Sequence, residues 1–279
     1  MNSLTVLQKA ERGKNKMFAI IKRELKLGFK SLLIWALTVG GLGLICTLMY
    51  TSMDGDMQDM AEQFSNMGAF ADAFGMSTLS IATLKGFFAT EVGTVHGLGS
   101  AMFAAFLASC MLSKEEDGHT GEFLYSLPVA RWKVVTAKAL TLLVSLVIFT
   151  VVCELFYVAG FAMLDEEIPW EMMNRFMGSM LLMNIEIAAI SFFTSAISSR
   201  NRGGVALGLS LIVYAYDIMG RAVPDLKEYL FIGPFSFANA SEIFADIAAP
   251  DYSILIGCVV TVIAVAASYI TYLRRDLNV

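Results

Sequence analysis

Residues 135–162 read VTAKALTLLVSLVIFTVVCELFYVAGFA. A helix needs about 20 mostly apolar residues to cross the hydrocarbon core of a bilayer, and this stretch is longer than that. It is rich in Leu, Val and Ala and lacks the period-two alternation of a half-buried strand, so it reads as a helix in lipid, where a helix satisfies its own backbone polar groups. Five more stretches share this character, at about 31–52, 92–112, 176–197, 203–221 and 253–273. The fold class expected is therefore all-α, a polytopic membrane protein of six transmembrane helices.

Composition agrees. Hydrophobic residues make up 57% of the 279 residues and charged residues 16%, against about 25% charged in soluble chains. With a mean hydropathy of +0.65, the apolar surface is too extensive for a soluble globule, and part of it must face lipid. Cys46, Cys110, Cys153 and Cys258 lie far apart inside apolar stretches. That is neither a disulfide framework nor zinc-ligand spacing, and packing is the plain reading. The polar, basic start holds no apolar core of a cleavable signal peptide; it reads as a disordered tail, and Met17 is an alternative start.

Orientation follows from the distribution of Lys and Arg, which favour the cytoplasmic side. The N-terminal segment, the connections after the second and fourth spans and the C-terminus together hold sixteen of the twenty basic residues. Lys85, Arg175, Arg221 and Lys227 remain for the opposite side. Both termini are thus expected in the cytoplasm. Trp35 and Trp132 near the inner face and Trp170 near the outer suit interfacial belts.

Outside the spans, residues 16–30 place Phe18, Ile21, Leu25 and Phe29 at helical spacing, with Lys22, Lys26 and Lys30 on another face. This basic amphipathic helix is expected to lie in the headgroup layer and contact membrane lipid. Residues 53–76 carry a stripe of Met57, Met60, Phe64, Met67 and Phe74 among acids. Residues 221–252 are cut by Pro224, Pro234 and Pro250; they are too broken to span, and Phe231, Phe235 and Phe237 are expected to dip into the outer leaflet as a re-entrant element.

The connection after the second span reads SKEEDGHTGEFLYSLPVARWKVVTAK, Ser113 to Lys138. Ser113 and Glu116 have capping-box spacing. Phe123, Leu124 and Leu127 give a short helix an apolar edge, and Pro128 ends it. Such a compact knob suits docking in a partner's groove, the alternative being a solvated loop.

An acidic stretch, a Thr, then a short hydrophobic helix closing on Ser-Leu-Pro-Val-x-Arg resembles the coupling segment of permeases of the type-2 ABC exporter family. The residues that carry the resemblance are Glu115, Glu116, Asp117, Thr120, Glu122, Phe123, Leu124, Ser126, Leu127, Pro128, Val129 and Arg131. Gly121 stands where a better helix former is expected. The layout agrees over nearly the whole chain: interfacial elbow helix, six spans, coupling helix between spans two and three, re-entrant element between five and six. Residues 1–15 then read as a basic cytoplasmic tail and 16–279 as a single six-helix transmembrane permease domain.

The resemblance implies an ATP-driven exporter at the cell membrane, in bacteria the plasma membrane. Two six-span subunits, a homodimer or a pair with a sister permease, would form the path. Two copies of a separate ABC ATPase would drive it. This chain has no G-x-x-x-x-G-K-[ST] phosphate loop; ATP and Mg are expected on the partner, and no cofactor, catalytic or metal residue on this chain. Nucleic acid is not an expected partner, because the basic residues follow the membrane rule. In the family the first, second and fifth spans border the path. Alternative readings are an ABC-like complex for sensing or envelope assembly, and an ATP-independent channel or secondary transporter.

Glu154, Glu186 and Asp217 are the candidate pathway residues. An acid near a helix centre costs roughly 2.5–3.5 kcal/mol, so such residues face protein or water; for Glu154 and Glu186 a structural role, through protonation or a hydrogen bond, competes with a pathway role. His96 and His119 lack partners at ligand spacing. Met173, Met177 and Met180 suit adaptable packing better than Cu(I) binding. Gly40, Gly41 and Gly43, and the pair Gly204 and Gly208, read as helix-packing positions.

Overall fold

The computed structural model describes the backbone of residues 3–53, 57–120 and 129–276, with side chains at 17–52, 58–120 and 129–276. Among the described residues every regular element is helical. Six helical stretches are long and apolar enough to cross a membrane: Met17–Ser52, Leu84–Ser109, Arg131–Met163, Trp170–Ile197, Gly203–Ala222 and Ser253–Arg274. They match the six spans read from the sequence, and the ends differ where charged residues interrupt the apolar run.

The first span belongs to a single long helix, α1 (Ser3–Met49), which takes in the amphipathic 16–30 segment without a break. Between α1 and the second span lie α2 (Met57–Ser65) and α3 (Ala69–Ala73). The second span starts earlier than expected. It consists of α4 (Leu84–Phe87), a π-helical turn at Phe88–Val92, and α5 (Gly93–Ser109). Thr83 caps α4 by accepting from the Gly86 amide at 3.1 Å, and the π turn carries Glu91, the charge that shortened the apolar run. Next come α6 (Lys114–Asp117), α7 (Arg131–Met163), α8 (Trp170–Ile197) and α9 (Gly203–Ala222). A broken segment with α10 (Pro224–Lys227) and α11 (Ala240–Phe244) leads into α12 (Ser253–Arg274).

Packing centres on α5 and α8, the two most buried spans. α1 lies along α7, while α9 packs on α5 and α12 on α8. Close approach of α1 and α7 depends on small residues. A Cβ on Gly40 would lie 2.6 Å from the Phe156 ring, and one on Gly43 would run into Tyr157. Gly41, Gly204 and Gly208 instead have open space beside them, with none of the described residues against the Gly204 and Gly208 pair.

An aromatic cluster fills the half of the core nearer α4. Phe88 makes edge contacts with Tyr157, Phe161 and Phe176 and lies 5.5 Å from Phe244. Met173, Met177 and Met180 are buried in the same hydrophobic core, which is the packing role their spacing suggests. The 221–252 segment folds back into the bundle: Phe235 and Phe237 are buried against protein, Phe235 beside Tyr214. Those two rings were expected to meet lipid. They turn inward because α9 and α12 leave apolar gaps that the short pieces fill.

Candidate functional site

Two charged clusters mark opposite ends of the bundle. At the basic end, α1, α6, α7 and the segment after α12 converge. Lys138 lies on the second turn of α7, wholly buried, where an unpaired ammonium would be untenable. Its Nζ donates to both oxygens of Glu115, at 2.6 and 2.5 Å, and to the Met111 carbonyl at 2.5 Å. Glu24 of α1, also buried, lies 3.9 Å from the same Nζ and accepts from Lys114. Arg275 pairs with the buried Glu116 and donates to the Ala196 carbonyl at 3.0 Å. Arg131 donates to the Arg275 carbonyl at 3.1 Å.

The acids of the proposed coupling segment are therefore not alike. Glu115 and Glu116 point into the protein and clamp α6 to α7 and to the end of the sixth span. Asp117, His119 and Thr120 face outward. The capping box expected from Ser113 and Glu116 does not form: Ser113 has helical rather than extended backbone angles and makes no side-chain cap, and the Glu116 carboxylate pairs with Arg275. Ser195 of α8 does related work, accepting from the Leu112 and Ser113 amides at 2.8 and 3.1 Å. Backbone bonds from Thr120 to Glu115 and from His119 to Glu116, at 2.8 and 3.1 Å, round off the turn. Glu122, Phe123, Leu124, Leu127 and Pro128 lie outside the described residues.

At the opposite end, Arg221 grips Asp217 one turn earlier on α9, with Nε 2.9 Å and Nη2 3.2 Å from its two oxygens. Its Nη1 donates to Glu242 of α11 at 2.5 Å, so the cluster staples α9 to the returning segment. Asp217 also lines a small cavity of about 40 Å³ with Thr90, Thr94, Tyr214, Asn239 and Ser241. The Thr90 hydroxyl has no hydrogen-bond partner there. Glu186 borders a separate cavity between α8 and α12. Glu154 is half-buried on α7 and lines neither. The three candidate pathway acids thus do not converge on one site.

The ion pairs of Glu24, Lys114, Lys138 and Arg275, and the Arg221 pairs, were not anticipated as pairs. One signal for them existed: Lys138 interrupts an otherwise apolar run at its first turns, and a buried ammonium calls for an acid nearby. His96, fully buried on α5, was also read as lone; its Nδ1 lies 2.8 Å from the Tyr157 hydroxyl. Among the described residues no group of three His, Cys, Asp or Glu side chains is placed to hold a metal ion.

No curated protein matches the chain. A family model described as ABC-2 family transporter protein matches residues 18–277. That range covers all six spans, the α6 turn and the Arg275 clamp, and the chain belongs to the ABC-2 family of transporter membrane proteins.

Proposed function

We propose that the chain is the permease subunit of an ATP-driven exporter, with the basic end in the cytoplasm. It docks there on a separate ATPase through the segment 113–138 and works with a second permease subunit. ATP and Mg are held by the partner; this chain forms the path and converts closure of the ATPase pair into movement of its spans.

The observation that carries this reading is the construction of the basic end. Asp117 at the end of α6 and His119 and Thr120 just after it face outward, while Glu115 and Glu116 tie α6 to α7 and to Arg275. Lys114 links it to α1. A push on this turn therefore reaches the first, third and sixth spans through ion pairs held in a poorly solvated setting, where such pairs are stiff and costly to break. The enrichment of Lys and Arg at the same end supports the cytoplasmic orientation. The open face at Gly204 and Gly208 supports a second permease packed on α9.

Accessibility tests the docking assignment. Asp117→Cys should react with a membrane-impermeant maleimide in inverted membrane vesicles and not in intact cells. Co-expression of the partner ATPase should protect it. Labelling from outside the cell, or no protection by the ATPase, would refute the reading.

A further inference from the structure

Glu186 of α8 is almost wholly buried, and its Oε2 has no hydrogen-bond partner. The carboxylate sits in a notch left by Gly257 of α12: a Cβ there would stand 2.6 Å from Oε2. Beside this notch is a cavity of about 190 Å³, walled by Leu182, Ile185, Phe237, Ile254 and Cys258. A second cavity of about 210 Å³ continues toward the basic end past Leu142, Ala189 and Val265, and Ile185 and Thr261 line both. The two cavities thus adjoin along α8 and α12, the second also touching α7, and their walls are apolar apart from Thr261 and one acid, Glu186.

The crevice opens sideways. Leu182, Ile254 and Val262 at its rim are exposed, as is most of α12, so the medium beyond is bilayer hydrocarbon rather than water. No Lys, Arg or His lines either cavity. A buried carboxyl without a partner is costly, and among the described residues none donates to Oε2.

We propose that this crevice binds a lipophilic primary amine drawn from the bilayer, its ammonium on Glu186 and its hydrocarbon chain along Ile185 and Thr261. An alcohol of the same length would satisfy one acceptor and leave the charge uncompensated. A phosphoethanolamine headgroup would bring its phosphate beside the carboxylate with no cation to receive it. The site belongs to the membrane domain alone, and its occupancy does not depend on ATP-driven export.

The test uses the full-length protein in phosphatidylcholine nanodiscs and two photoreactive probes, dodecylamine and dodecanol, each carrying a diazirine on the chain. The amine should label peptides containing Leu182, Ile254 or Cys258 about tenfold more than the alcohol, the factor expected of one charge-assisted hydrogen bond. Glu186→Gln should reduce amine labelling to the alcohol level. Ile254→Trp, which fills the cavity from its exposed rim and leaves residue 186 a glutamate, should abolish labelling by both and serves if the glutamine variant does not fold. Equal labelling by the two probes, or amine labelling unchanged in either variant, would overturn the proposal. Competition by added phosphatidylethanolamine would overturn the choice of a phosphate-free amine.

Discussion

Lys138 of the third span places its ammonium between both carboxylate oxygens of Glu115, at 2.6 and 2.5 Å, with the Met111 carbonyl as a further acceptor. An ion pair this buried is weak evidence for net stability, yet removing one partner strands the other and costs about 3–5 kcal/mol. Lys138→Met is therefore expected to lower the unfolding free energy by about 3 kcal/mol. The double variant Lys138→Met with Glu115→Leu should recover much of that loss. Thermal or denaturant unfolding in detergent reads both, and equal destabilisation by the single and double variants would show that the pair is not the unit holding α6.

The Tyr157 hydroxyl meets His96 Nδ1 at 2.8 Å in a fully buried setting, while His96 Nε2 has no partner. Tyr157→Phe keeps the ring contacts with Phe88 and deletes only the hydroxyl. Leaving Nδ1 unsatisfied should cost about 1–3 kcal/mol, visible as a lowered melting temperature. An unchanged melting temperature would mean that water or another group replaces the phenol.

Two neighbouring glycines separate close packing from mere presence of glycine. At Gly43 an added methyl would run into Tyr157, whereas at Gly41 nothing lies within 4 Å. Gly43→Ala should destabilise by about 1–3 kcal/mol through overpacking of the α1 and α7 contact. Gly41→Ala should be neutral or stabilising by up to about 1 kcal/mol, because alanine is the better helix former. Parallel unfolding measurements on the two variants decide the matter.

Arg221 bridges Asp217 and Glu242 across α9 and α11. Arg221→Gln leaves Asp217 buried without its cation and should detach the returning segment locally. Limited proteolysis between α10 and α11 is expected to speed up, and Asp217→Asn in the same chain should partly reverse the effect. Unaltered proteolysis in Arg221→Gln would show that apolar packing of Phe235 and Phe237 suffices.

The spans were legible in the sequence because lipid imposes one requirement, length of apolar run, that composition alone expresses. Legibility faded wherever a charge sits inside a helix. Glu91 hid the first two turns of the second span, and Lys138 stood at the edge of the third without a visible partner. The pairing of Glu24 with Lys114 joins residues 90 positions apart, and that of Arg275 with Glu116 joins residues 159 apart. No local pattern encodes such distances; they exist only once α1, α6 and the end of α12 are brought together. Glu115, Glu116 and Asp117 were recognisable as an acidic group, but the inward turn of Glu115 and Glu116 against the outward Asp117 depends on those same tertiary contacts.

A separate ATPase docked on residues 113–138 is proposed to drive this permease. The most direct measurement is ATP hydrolysis by the affinity-purified chain from its native membrane, with co-purifying subunits identified by mass spectrometry. A P-loop ATPase should co-purify and hydrolyse ATP in a vanadate-sensitive way, and Leu124→Ala or Asp117→Ala should release it or uncouple its activity. A chain that purifies without an ATPase yet transports fully, or an ATPase complex whose coupling ignores both substitutions, would show that this segment is not the ATPase dock.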